Sequence, residues 1–172
     1  DSHRRQRQMC IRDSIITAAN IYFELDNKEA FKVAMSEAIE KEPNNPVLYY
    51  QLGVVSGELG EIDVAISYYE KSIELDPSNE NSYLNMVALI LEGEQGIVDE
   101  MNSLGTSRAD NLKYDELKEV RENLYKECVP ILKDLISINN NVEAIRTLMN
   151  IYGTIGDNLG YMEMKNLLEQ QD

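Results

Sequence analysis

Between residues 46 and 58, apolar and small side chains recur every three or four positions: Tyr49, Leu52, then Val55 with Ser56. The run 62–75 repeats that rhythm with Ala65, Tyr69 and Ser72. This is the period of an amphipathic α-helix, and it predicts two helices. Pro46 occupies the first-turn position that tolerates proline, and Gly60 ends the first helix. Pro77 stops the second. Gly53 and Ala65 lie between the larger side chains, so they are the expected points of closest approach. A bulkier residue at either would overpack the contact, at about 1–3 kcal/mol.

The layout recurs. AIEKEPNN (38–45) aligns with SIELDPSN (72–79), and Pro43 and Pro77 are 34 residues apart. A third copy is LISINNNV (135–142), where Asn140 stands in for the proline and about 29 further residues intervene. The extra length falls at about 92–121. There EGEQGIVDEMNSL continues helically, and KYDELKEVRENLYKECV mirrors it, with Leu117, Val120, Leu124 and Cys128 expected on one stripe. GTSRADN between them reads as a turn, with Gly105 as C-cap and Ser107 or Asp110 as N-cap. The insertion therefore predicts helices A and B of the third unit prolonged into a long antiparallel hairpin. Pro130 inside the second of them is a place for a kink.

The string YYQLGVVSGELGEIDVAISYYEKSIELDPSN, which carries Gly53, Ala65 and Pro77, resembles the tetratricopeptide repeat, a 34-residue helix–turn–helix unit. Residues 12–45 resemble a weaker copy, with Ala18 and Ala19 as its small residues, LDNKEA as its turn, and Phe31, Met35 and Ala38 in its second helix. A third unit spans about 80–141 and contains the insertion; a fourth, 142–172, has Leu148, Tyr152 and GTIGD in matching places. The resemblance implies an all-α fold: an α-solenoid, a right-handed superhelix of such repeats, forming one domain over 15–172 with one extended hairpin. The insert also resembles those of Bacteroidetes-type bacterial repeat proteins, which are secreted or periplasmic; a cytoplasmic location stays open.

Composition narrows the picture. The chain has 172 residues, 43% of them hydrophobic, enough for a packed core. No apolar run approaches the roughly 20 residues of a membrane-spanning helix, so membrane insertion is not expected. The net charge of −15 repels nucleic-acid phosphates and favours partners with basic or neutral faces, although it also simply aids solubility. Residues 1–14, DSHRRQRQMCIRDS, are basic where the remainder is acidic. They resemble translated sequencing-adapter read-through and read as a non-native or disordered segment, in which case the true N-terminus and any signal peptide precede the natural part of this chain.

That segment contains His3, the only histidine, and Cys10. The body therefore offers no Ser–His, Cys–His or histidine–metal arrangement. Cys128 falls on the apolar stripe of a helix and reads as a buried thiol. GELGE lacks the GK[ST] of a phosphate loop, and DPSNE and DNKE lack calcium-loop spacing. No catalytic residue, metal site or cofactor is expected, and the protein is not expected to be an enzyme.

Binding is the remaining class. In stacked two-helix repeats the first helix of each unit lines the concave side. Helical phase then places Asn20 there from unit one, Tyr50 and Val54 from unit two, Asn81, Leu84 and Asn85 from unit three, and Arg146 and Asn150 from unit four. Some members of the family hold a peptide's C-terminal carboxylate with Lys, Asn and Arg. The matching positions here read Ile16, Asn20, Gln51, Asn81 and Asn85, without a cation, so that clamp is not expected. Asparagine amides suit an extended peptide backbone, with Tyr50 and Leu84 as apolar contacts, although they would equally serve to solvate a groove. The expected partner is a protein or peptide, and the expected role a non-catalytic adaptor. The alternative is a homo-oligomeric scaffold joined through the hairpin.

Overall fold

A computed structural model describes residue 17 and residues 21–171. Among them all regular structure is helical and there is no strand, so the chain has the expected all-α, helical-repeat fold class. Asn20 and Ile16, the small pair Ala18 and Ala19, and the suspect segment 1–14 lie outside the described residues. Residues 21–24 form a helical turn. The helices that follow are α1 (Lys28–Lys41), α2 (Pro46–Glu58), α3 (Ile62–Leu75), α4 (Glu80–Leu91), α5 (Glu94–Ser103), α6 (Arg108–Asn139), α7 (Val142–Ile155) and α8 (Asn158–Glu169). The chain divides into two compact units, with the boundary inside α4 between Ser82 and Tyr83.

In the first unit α1 and α2 start where a side chain caps them, whereas α3 has no side-chain cap. The Asn27 side chain accepts a hydrogen bond from the Ala30 amide, and Asn45 accepts one from Val47 just before Pro46. Gly60 turns the chain at φ +77°, a left-handed conformation that glycine adopts without strain. Asp76 ends α3 immediately before Pro77. Phe31, Ala34, Met35 and Ala38 of α1 bury themselves against Leu48, Leu52 and Val55 of α2. Lys28 pairs with Glu58 and Lys32 with Glu61, lacing the polar margin of that contact.

The closest approach of α2 and α3 is made through a ring. An ideal Cβ on Gly53 would lie 2.6 Å from Cε1 and 2.7 Å from Cδ1 of Tyr69, while Ala65 is fully buried. Gly53 is thus small because the Tyr69 ring occupies the place of its missing side chain. Ser72 forms a buried polar knot at the far end of the pair. Its hydroxyl donates to the Pro46 carbonyl at 3.0 Å and accepts from Ser82 Oγ at 3.0 Å and Asn79 Nδ2 at 3.3 Å. Ser56 is equally buried, but its hydroxyl has no partner. An unpaired buried hydroxyl is a liability of about 1–3 kcal/mol. Ser56→Ala, which also improves helix propensity, is therefore expected to raise stability by about 1 kcal/mol in urea titration; a loss of stability would show that the hydroxyl is satisfied after all.

The second unit departs from expectation at the insertion. α4 does not run unbroken into the hairpin: it ends at Leu91, and α5 begins only at Glu94. Gly93 and Gly96 fall where the helix would have continued, and each weakens it by about 1 kcal/mol relative to alanine. α6, by contrast, is a single helix of 32 residues that continues through Pro130. Ser107 and Asp110, the two alternative caps, act together: the Ser107 hydroxyl accepts from the Asp110 amide and the Asp110 carboxylate accepts from the Ser107 amide. Those bonds hold the Asp110 carboxyl below its ordinary pKa. The buried stripe of α6 runs through Leu117, Tyr125, Cys128, Leu132, Leu135 and Ile136. Val120, expected on it, is 48% exposed: helical phase alone would allow its burial, but no neighbouring helix among the described residues covers that side of α6.

Asn140 caps α6 at φ 53°, a left-handed position that asparagine tolerates. This is why it can stand where another unit has proline. α7 and α8 then meet through a second ring-for-side-chain exchange, with the partners reversed. Here the leading helix supplies Tyr152 and the trailing helix supplies Gly160, whose ideal Cβ would lie 2.7 Å from Tyr152 Cδ2.

Candidate functional site

The residues expected to face a partner fall on three helices. On α2, Tyr50 and Val54 are one turn apart and half-buried. Tyr50 is set by the core behind it: its ring lies 6.1 Å from that of Tyr69, inclined by 48°, and Tyr69 in turn fills the space beside Gly53. On α4, Asn81 is exposed and Leu84 and Asn85 are half-buried. The opposite side of that helix carries the buried Ser82, Tyr83, Met86 and Val87. On α7, Arg146 and Asn150 are exposed, one turn apart, over the buried Ile145, Leu148 and Ile151. Each helix therefore brings its own candidates onto one accessible face, as helical phase requires. Tyr50 and Val54 belong to the first unit, Leu84, Asn85, Arg146 and Asn150 to the second, and Asn20 is not among the described residues.

No carboxylate occurs among these residues, in a chain with 31 Asp and Glu. The lysines Lys28, Lys32 and Lys71 of the first unit are engaged with Glu58, Glu61 and Glu74.

One polar cluster was not visible in the sequence. Glu94, at the start of α5, accepts hydrogen bonds at Oε1 from Arg121 Nε (2.9 Å) and Nη2 (2.7 Å) and from the Tyr125 hydroxyl. The Arg121 guanidinium also lies 5.4 Å from the Tyr125 ring centre. Burial, reinforced by the bond to Glu94, raises the Tyr125 phenol above its ordinary pKa. Glu100 and Lys113 meet at 3.6 Å further out. Since 94 faces 121 and 100 faces 113, α5 and the first part of α6 run antiparallel. The partners are 27 and 31 residues apart, and nothing local in the sequence couples them.

Cys128 is fully buried, and its thiol is pushed up to about 12, by burial first and then by Glu127 and Glu94. It is held protonated at neutral pH, the opposite of an activated nucleophile. Among the described residues no group of three or more His, Cys, Asp and Glu could hold a metal ion, and no helix is long and apolar enough to cross a membrane.

Consecutive helix pairs joined by tight turns, two of them closed by a glycine and a ring, describe a helix–turn–helix repeat fold. Residues 47–79 match the tetratricopeptide repeat family, so this stretch of the chain is one tetratricopeptide repeat. Among solved structures it is similar to the first tetratricopeptide repeats of Spaghetti (RPAP3) bound to the HSP90 peptide SRMEEVD, with 17% identity and a TM-score of 0.50 over 88% of this chain and 97% of that one. It is also similar to MamA from Desulfovibrio magneticus RS-1 (13% identity, TM-score 0.47, 94% and 97% covered). A third such structure is TTC0263 of Thermus thermophilus (15% identity, TM-score 0.44, 93% and 91% covered). At these identities the likeness concerns the fold. The chain has no match among curated proteins.

Proposed function

We propose that the protein is a non-catalytic adaptor that binds a peptide or protein partner through the accessible faces of α2, α4 and α7. The observation that carries this reading is the composition of those faces. Tyr50, Val54, Asn81, Leu84, Asn85, Arg146 and Asn150 combine two apolar contacts, a tyrosine, three amides and one cation, in a chain of net charge −15. Amides offer a donor and an acceptor together, which matches a peptide backbone. Tyr50 is held by Tyr69, so little ordering is needed on binding.

The Spaghetti repeats carry an acidic peptide, SRMEEVD. This chain has Ile16, Asn81 and Asn85 where a carboxylate clamp would need cations, which favours a neutral segment over an acidic tail. The test is recovery of partners from a lysate by the intact protein and by Tyr50→Ala/Asn85→Ala. Recovery of a saturable partner is expected to fall about tenfold in the double variant at unchanged helix content. Equal recovery would remove these faces from the site.

A further inference from the structure

We infer that the arm formed by α5 and the first part of α6 is a second docking surface, and that its occupant is a basic amphipathic helix. This goes beyond the reading of the α2, α4 and α7 faces and does not depend on it. Two helices alone cannot close an apolar seam, and α5 has no buried residue at all. Ile97 and Glu100 lie at helical spacing on α5, with Leu104 at its C-cap, and Lys113, Leu117, Val120 and Leu124 follow one another at helical spacing on α6. The Glu100–Lys113 ion pair fixes these two rows on the same flank of the arm. Ile97, Leu104 and Leu124 are half-buried there and Val120 is 48% exposed, so the flank is an apolar strip open to solvent.

Charge decides between occupants. Residues 94–127 contain nine Asp and Glu against five Lys and Arg. Three of those cations are engaged within the arm: Lys113 with Glu100 and Glu116, Lys118 with Glu122, and Arg121 with Glu94. Helical phase sets Glu116, Glu119 and Glu127 along the solvent side of the Val120 strip. A second copy of the chain would bring the same carboxylates against them. A helix with an apolar stripe flanked by Lys or Arg would cover the strip and neutralise its rim, completing a three-helix bundle.

The experiment uses the full chain and a synthetic helix of about 20 residues with leucines at i, i+3, i+4, i+7 spacing and lysines elsewhere. A control peptide has the same composition in scrambled order. By calorimetry at low and moderate salt, the ordered peptide is expected to bind about tenfold more tightly than the scrambled one. Val120→Asp, at an exposed position, is expected to weaken it about tenfold, and Glu116→Lys/Glu119→Lys by a similar factor that shrinks as salt rises. Equal binding of the two peptides, or no effect of Val120→Asp, would show unspecific attraction and overturn the proposal. So would a dimer by light scattering that Val120→Asp dissolves without any peptide binding. Loss of peptide binding in Tyr50→Ala/Asn85→Ala with Val120→Asp unaffected would place the site on the α2 and α4 faces instead.

Discussion

Gly53→Leu is expected to lower the midpoint of thermal unfolding by about 6–12 °C. The new Cβ alone would sit 2.6 Å from Tyr69, closer than side-chain carbons approach one another. Tyr69 is 4% exposed and backed by the Tyr50 ring, so it has no free direction in which to yield. Overpacking at such a site destabilises by about 1–3 kcal/mol or more, while leucine recovers about 1 kcal/mol of helix propensity over glycine. A four-carbon side chain in a space already filled by a ring exceeds that range, at about 4 kcal/mol before and about 3 kcal/mol after the gain in propensity, and each kcal/mol lowers the midpoint by about 2–4 °C in a chain of this size. Gly53→Ala balances a smaller clash against the same gain in propensity and is expected to lose no more than about 2 kcal/mol. Gly96→Ala is the control: nothing lies within 4 Å of its Cβ, and it should be neutral or slightly stabilising. A Gly53→Leu protein as stable as its parent would mean that α2 and α3 are not locked through Tyr69. Because Tyr50 rests on Tyr69, the same variant is expected to weaken whatever binds at Tyr50.

Glu94→Ala is expected to release α5 while leaving the paired helices α2 and α3 intact. The substitution removes the acceptor shared by Arg121 and Tyr125, and it strands a phenol whose residue is 4% exposed. Loss of hydrogen bonds to a charged group costs about 1.5–3 kcal/mol. α5 has no buried side chain to hold it otherwise. Amide exchange over 94–103 should therefore accelerate by about 10–100-fold, with protection in α2 and α3 unchanged. Unchanged protection in α5 would mean that Ile97, Val98, Met101 and Leu104 hold the arm without the clasp. Tyr125→Phe, which keeps the Glu94–Arg121 pair, should produce a smaller effect.

The bounds of α2 and α3 were legible because their signals are local. Asn45 and Pro46 start one helix, Gly60 ends it at φ +77°, and Pro77 follows the other. The candidate partner-facing residues were legible in the same sense: phase alone assigns Tyr50 and Val54, or Arg146 and Asn150, to one accessible face of a helix. The long hairpin was legible as a hairpin, since both halves have helical period and Ser107 with Asp110 marks the second start. Its break was not. The period of the apolar residues continues past Leu91, and only the propensity cost of Gly93 and Gly96 opposes it. Nor was the exposure of Val120, which depends on which side of α6 its neighbour takes.

By itself, then, the sequence determined where α2 and α3 begin and end, that helices recur in pairs, and which residues share a face, because capping, left-handed turns and the 3.6-residue period act over a few positions. Tertiary structure alone decided that the space beside Gly53 belongs to Tyr69, that the last pair reverses the arrangement through Tyr152 and Gly160, and that Glu94 gathers Arg121 and Tyr125. These are meetings of side chains 8 to 31 residues apart. They are fixed by the volume and polarity left open when the helices pack, which no local spacing encodes.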